Sequence, residues 1–250
     1  MISIVIPTYN ERENIRGLID RIEKALGRVS HEILFVDDQS PDGTVEAVER
    51  LARKKPRIRL LSHPPPRDLG RSILMGVEAA RGDVVVGMDG DGNHDPRYIP
   101  QFLNTLQKAD LVVGSRFIRR EIPNPKHQIP NKSKFSKFQI QNIGSLLFNA
   151  MLKYCFGFPV WDNTSGFYAI RRKTLAVLDP PSIYYGYGEY HLRLVYKVME
   201  QRLRIIEVPV VYPPRIHGQS KSRLFIMLGT YVKTVLMLKN EKYLVTRKRT

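Results

Sequence analysis

The sequence predicts an α/β fold: a central, mostly parallel sheet with helices on both faces. Two observations carry this. Short apolar runs alternate with segments of helical spacing through the first half of the chain, which is the signature of βαβ units. The runs are apolar almost throughout rather than alternately polar, as in strands buried on both faces.

The elements follow in order. "ISIVIP" reads as the first strand, and Ile15, Leu18, Ile19, Ile22 and Leu26 then recur at helical spacing. "EILFVDD" is the second strand, and "SPDGT" is a turn that opens a helix over residues 45–52, since Ser, Pro, Asp and Gly are turn formers. "IRLLS" is the third strand, followed by a Pro-rich loop and a helix over residues 69–80. "DVVVGMD", a helix over 96–106 and the strand "DLVVG" complete the series. Beyond Gly114 the texture changes. Residues 116–137 read as a basic loop carrying Arg119, Arg120, Lys126, Lys132 and Lys134, broken by Pro123, Pro125 and Pro130. That is too long for an ordinary connection, so a functional segment is expected. A helix over 138–154, another over 189–199 and a strand in "RIIEVPVVY" follow.

Composition narrows the function classes. The 250 residues with 42% hydrophobic content suit one fair-sized globular core. A single cysteine, Cys155, excludes an internal disulfide and a Cys-rich metal site, and fits a reducing compartment. "MISIVIPTYNE" lacks the basic and long apolar regions of a signal peptide. "LFIMLGTYVKTVLML" is interrupted by Lys233 and too short to span a bilayer. A formal net charge of +16 implies an anionic partner: nucleic acid, a phospholipid surface or a phosphorylated substrate. No zinc-finger or RNP pattern appears, which weighs against nucleic acid.

The polar clusters "PTYNE", "DDQSPDG" and "DGDGNHD" all fall at strand ends. Open α/β sheets bind ligands beyond the carboxyl ends of their strands. The third cluster begins like a calcium loop, with Asp89, Asp91 and Asn93 at alternate positions. It then fails, because His94 stands where that loop needs Gly and Pro100 where it needs Glu. Two carboxylates at i and i+2 of an extended segment face one side, which suits an open Mg²⁺ or Mn²⁺ site completed by phosphate. Gly90 and Gly92 let a bulky phosphate approach the backbone. Asp38 is suited to accept from base N–H groups and Tyr9 to pack on a ring. His94, His191 and His217 are expected to be surface or packing residues, with His94 and Asp95 in the turn to the next helix.

"VIPTYNE", "VDDQSPDGT", "MDGDGNHDP", "GSRF", "SGFYAIRR" and "GQSK", in that order, resemble family 2 glycosyltransferases and, more narrowly, the dolichyl-phosphate (polyprenyl-phosphate) mannosyltransferase group. The resemblance covers residues 5–221 and implies a GT-A fold with inversion at the sugar carbon. It implies that Pro7, Tyr9, Glu11, Asp38, Gly70, Arg71 and Gly90 bind the donor, and that Asp89, Asp91 and Asn93 hold the metal. Asn93 stands where the family usually has Gln. Arg116 would bind the acceptor phosphate and Arg215 the leaving diphosphate, which with Asp89 and Asp91 makes the catalytic set. Lys132, Lys134, Ser165, Gly166, Glu189, Ser220 and Lys221 would complete the acceptor and sugar pocket.

The organisation so implied is a catalytic domain over 1–221, with a nucleotide-sugar half (1–113) and an acceptor half (114–221). A basic, apolar-rich segment over 222–250 is expected to lie in a membrane interface or to pack on the core. The expected reaction is metal-dependent transfer of mannose from GDP-mannose to dolichyl or polyprenyl phosphate. A UDP-glucose-dependent glucosyltransferase with the same acceptor, and a non-catalytic basic domain binding lipid or nucleic acid, are the alternatives. The expected setting is the cytoplasmic face of a membrane, held peripherally or through a small anchoring subunit.

Overall fold

The structure, a computed structural model, describes residues 1–118, 132–213 and 224–247, with side chains omitted for 132–143, 224–228 and 241–247. A seven-stranded sheet runs in the order β3-β2-β1-β4-β6-β5-β7. Its strands are β1 (Ile2–Thr8), β2 (His31–Asp37), β3 (Ile58–Ser62), β4 (Val84–Gly87), β5 (Leu111–Ser115), β6 (Tyr168–Arg171) and β7 (Ile205–Pro209). β1 pairs in parallel with β2 and β4, β2 with β3, and β5 with β7. β6 is antiparallel to both β4 and β5.

Side-chain alternation along these strands builds two cores. Val5, Leu34, Val85 and Val113 face one layer, and Ile4, Ile6, Ile33, Phe35, Val86 and Val112 face the other. On the second face lie α1 (Arg12–Leu26), α2 (Thr44–Ala52) and α4 (Ile99–Thr105), entered through a 3₁₀ turn at Pro96–Tyr98. On the first lie α3 (Leu69–Ala79), α5 (Lys132–Phe156), α6 (Arg172–Val177), α7 (Pro180–Ile183), α8 (Tyr190–Glu200) and α9 (Leu224–Arg247).

The first half follows the sequence-based expectation to within a residue or two. Three features differ. "FYAIRR" contains β6, which periodicity did not single out: only four residues, Tyr168–Arg171, make the strand. α5 begins at Lys132, so the last residues of the expected 116–137 loop are helical, continuing the apolar spacing of the helix expected from 138. The short helices α6 and α7 occupy a stretch whose sequence carries no clear helical period.

α9 packs on the core through one face. Tyr231, Val235 and Leu238 are buried, the Tyr231 hydroxyl donates to the Gly188 carbonyl at 2.9 Å, and that of Tyr196 donates to the Leu238 carbonyl at 3.1 Å. Val232, Leu236 and Met237 of the same helix are exposed. No helix among the described residues is long and apolar enough to cross a membrane.

Candidate active site

The carboxyl ends of β1, β2 and β4 open into a cleft of about 650 Å³. Pro7, Tyr9, Glu11, Asp38, Asp89, Gly90 and Asp91 line it together with Arg67, Asp68, Leu69, Gly186 and Tyr187. The three polar clusters read from the sequence therefore meet at one place, as strand order requires: β2, β1 and β4 are neighbours.

Each cluster is fixed by local bonds. The Thr8 hydroxyl donates to Asp37 at 3.0 Å, and the Ser40 backbone N–H donates to the same carboxylate at 2.7 Å. These tie the ends of β1 and β2. Asp42 accepts from the backbone N–H groups of Thr44 (3.0 Å) and Arg12 (3.2 Å), so "SPDGT" is a turn that starts α2 and braces α1. Asp38, beside it, is buried. Burial raises its carboxyl above the usual range, opposed by His63 and Arg67. His63 Nε2 lies 3.6 Å and Arg67 Nε 3.7 Å from its oxygens.

In "DGDGNHD", Asp91 is buried and Asp89 partly exposed. Asn93 does not line the cleft. Its backbone N–H donates to Asp91 Oδ1 at 3.0 Å and its side-chain amide to Oδ2 at 3.2 Å. Asn93 thus stands in this arrangement as a support that orients Asp91. His94 is buried. Its Nδ1 accepts from the Asp89 backbone N–H at 2.8 Å, Nε2 faces the Ser165 carbonyl at 3.1 Å, and the ring stacks on Phe167 at 4.9 Å. The imidazole joins the acidic loop to the "SGF" loop, and burial lowers its pKa to about 4. Asp95 accepts from the Arg97 backbone N–H at 3.0 Å and so opens the 3₁₀ turn, as the sequence suggests.

Among the described residues no group of three or more His, Cys, Asp or Glu forms a cage for a metal ion. Asp89 and Asp91 nevertheless suit a hard divalent cation, as an acidic pair facing an open cleft that leaves positions for substrate oxygens.

Gly70 and Arg71 lie outside the cleft lining. Gly70 is a packing position: its N–H donates to the Gly186 carbonyl at 2.8 Å, and a Cβ there would meet the Tyr185 backbone at 2.4 Å. Arg71 is exposed on α3. Among the described residues the cation that lines the cleft is Arg67, whose Cζ sits 3.3 Å from the centroid of the Tyr9 ring. Arg67 was not singled out from the sequence, because it sits in a Pro-rich loop that carries no periodicity.

Arg116, at the end of β5, forms a two-pronged pair with the fully buried Asp162, Nε to Oδ2 and Nη2 to Oδ1, both at 2.8 Å. Nη2 also donates to Thr164 Oγ1 at 2.9 Å. Burial would lower the Arg116 pKa, but the Asp162 carboxylate outweighs it and raises it. Asp162 is held in turn: Glu207 of β7 accepts from the backbone N–H groups of Trp161 (2.9 Å) and Asp162 (3.1 Å). Ser165 bonds the Tyr212 hydroxyl, and its Oγ accepts from the Phe167 N–H at 3.2 Å. Gly166 adopts a φ of +73°, and a Cβ there would lie 2.8 Å from the Tyr190 hydroxyl, so a side chain is excluded twice. Glu189 is buried at the start of α8 and accepts from the Tyr187 N–H at 3.2 Å. Arg215, Ser220 and Lys221 lie outside the described residues, as do the side chains of Lys132 and Lys134.

Comparison with protein families matches residues 3–178 to "Glycosyl transferase family 2". The chain belongs to this family. Among curated relatives it is 34% identical to an undecaprenyl-phosphate mannosyltransferase of Micrococcus luteus, over 87% of this chain and 85% of that one. It is 30% identical to a polyprenol monophosphomannose synthase of Mycolicibacterium smegmatis, over 87% and 79%. A dolichol-phosphate mannosyltransferase of Pyrococcus furiosus is 29% identical over 88% of this chain, which spans 58% of that protein's length. Of solved structures, glucosyl-3-phosphoglycerate synthase from Mycobacterium tuberculosis, in complex with Mn²⁺, UDP and phosphoglyceric acid, superposes with a TM-score of 0.69. The match covers 95% of this chain and 78% of that one at 19% identity. That likeness establishes the GT-A fold. This glycosyltransferase therefore carries its strand-end cleft where the sequence placed it.

Proposed function

We propose that this glycosyltransferase moves mannose from GDP-mannose to a dolichyl or polyprenyl phosphate, inverting the sugar carbon. The single observation that carries the reading is the cleft itself. A buried acid (Asp38), an aromatic ring (Tyr9) and an acidic pair (Asp89, Asp91) converge on one cavity, in a chain whose curated relatives are polyprenyl-phosphate mannosyltransferases.

In this reading Asp89 and Asp91 hold Mg²⁺ or Mn²⁺, which when bound neutralises charge on the leaving diphosphate. Asn93 and His94 fix those two acids through the bonds described above. Tyr9, Glu11 and Asp38 hold the nucleoside, and Pro7 and Gly90 shape the wall beside it. Arg116, with Asp162 fixing its fork, faces the acceptor phosphate from the end of β5, supported by the Ser165–Gly166 loop and Glu189. Arg215, Lys132, Lys134 and Lys221 supply further positive charge, and Ser220 a neutral hydroxyl donor. A phosphate monoester has a second pKa near 6 and carries about −1.5 to −2 charge at pH 7. The nucleophile is thus already deprotonated, and orientation contributes more than a general base. The exposed Val232, Leu236 and Met237 of α9, beside Lys233 and Lys239, suit peripheral contact with an anionic bilayer.

The test is incubation with Mn²⁺ or Mg²⁺, a short prenyl phosphate and a panel of radiolabelled nucleotide sugars, followed by lipid extraction. Label from GDP-mannose in the lipid phase is expected. Label from UDP-glucose alone overturns the mannose assignment, and no label from any donor overturns the reaction.

A further inference from the structure

The cleft is lined by five acids, Glu11, Asp38, Asp68, Asp89 and Asp91, and among its described lining residues Arg67 is the one cation. Arg67 comes from the loop between β3 and α3. Its guanidinium Cζ sits over the Tyr9 ring, 3.3 Å from the centroid, and Nε is 3.7 Å from Asp38 Oδ2. Half of its side chain is exposed (51%), whereas the Asp38 side chain is only 10% exposed. Asp38 Oδ1 is buried without a hydrogen-bond partner, with His63 behind it at 3.6 Å. The ring on which a base would stack is covered by a half-exposed side chain. The acid beside it holds unspent acceptor capacity.

A rigid fork of donors next to a carboxylate presents donors and acceptors side by side. Guanine offers the matching order around two adjoining edges: acceptors N7 and O6 on the Hoogsteen edge, then donors N1–H and N2–H on the Watson–Crick edge. Uracil alternates acceptor, donor, acceptor across O4, N3–H and O2, so the same pair of side chains meets it with fewer bonds. Adenine places an amino donor where the fork needs an acceptor.

We infer that Arg67 is a specificity-determining residue of the nucleotide site. On donor binding it leaves the Tyr9 ring, the base takes its place there, and the fork donates to O6 and N7 of a guanine whose N1–H and N2–H donate to Asp38. This rests on the reading of the cleft as the site of a nucleotide sugar.

The test is calorimetric binding of GDP, 7-deaza-GDP and UDP in Mn²⁺ buffer to the full chain and to Arg67→Ala and Arg67→Lys. The wild type is expected to prefer GDP to UDP, and to bind GDP about 10-fold more tightly than 7-deaza-GDP, which lacks N7. Arg67→Ala is expected to bind GDP about 10-fold more weakly, to lose discrimination between GDP and 7-deaza-GDP, and to bind UDP within about 3-fold of wild type. Arg67→Lys follows Arg67→Ala, because an ammonium cannot make the fork. Circular dichroism checks that the variants fold. Equal weakening of all three nucleotides by Arg67→Ala makes Arg67 a phosphate contact and overturns the inference, as does unchanged GDP binding. A wild-type protein that binds UDP but not GDP overturns the donor reading itself, before any variant is made.

Discussion

Nδ1 of His94 accepts a hydrogen bond from the backbone N–H of Asp89 at 2.8 Å. Because that nitrogen is an acceptor, Nε2 carries the proton and donates to the Ser165 carbonyl at 3.1 Å. One neutral ring thus sets the distance between the acidic loop after β4 and the "SGF" loop before β6. Protonation would place a second N–H against the Asp89 N–H, and the bridge would break.

The consequence for stability has a definite sign. Burial lowers the His94 pKa from 6.5 to about 4. Between those values the unfolded chain takes up a proton that the folded chain refuses, so stability is full above pH 6.5 and falls as pH drops toward 4. The loss is about 3 kcal/mol across the window, and His191, buried with its pKa also lowered to about 4, adds in the same direction. His94→Asn removes one of the two titrations. Urea midpoints measured from pH 7.5 to 4.5 should fall less steeply for the variant than for the wild type. Identical slopes would mean that His94 is not held neutral.

Asp91→Asn should lower mannosyl transfer by at least about 10²-fold, with a circular dichroism spectrum like that of the wild type. The residue is buried but gripped by Asn93 through both oxygens, and an amide can keep one of those contacts. EDTA should abolish wild-type transfer and excess Mn²⁺ restore it. Full activity in EDTA would exclude the metal role of the acidic pair.

The β-strand ends and their acids were legible because both rest on local signals. Apolar runs of the right length mark β1, β2 and β4, and the polar residues that follow them must face the sheet's carboxyl edge. What the sequence concealed depends on contacts across the fold. Asp162 belongs to no motif, and only its 46-residue separation from Arg116, closed by the fold, makes it a partner. His94 lay inside a quoted motif, yet its task depends on Ser165, 71 residues away. Arg67 sits in a loop with no period, and Gly70, which resembled a donor contact, instead lets the Tyr184–Gly186 segment touch α3. β6 was missed because four residues are too few for alternation to be read, and its antiparallel pairing breaks the βαβ rhythm.

Asp162→Ala should destabilise the fold by about 3–5 kcal/mol, because it leaves the Arg116 guanidinium largely buried without its counter-charge. Replacing both residues, as Arg116→Met with Asp162→Ala, should recover part of the loss while transfer stays abolished. A chemical-denaturation series on the two variants measures this. If the double variant is no more stable than the single one, the cost lies elsewhere, in the backbone N–H groups that Asp162 also satisfies.

Gly70→Ala tests how the far wall of the cleft is held. A methyl group at this position would meet the Tyr185 backbone at 2.4 Å, and backbone cannot turn aside as a flexible side chain would. The segment is pinned from both sides. The Gly70 N–H donates to the Gly186 carbonyl at 2.8 Å, and Asp68 accepts from the Gly186 N–H at 3.1 Å. On the other side Arg193 donates from Nε to the Ile183 carbonyl at 2.8 Å and stacks on the Tyr185 ring at 3.5 Å. Since Arg193 still anchors it, the segment should shift rather than unfold, at a cost of about 1–3 kcal/mol for overpacking. Gly186 and Tyr187 would then withdraw from the donor cleft they line. The expected result is a KM for the nucleotide sugar raised about 10-fold with a smaller fall in kcat, accompanied by a modest drop in melting temperature. An unchanged KM with reduced stability would mean that this wall takes no part in holding the donor.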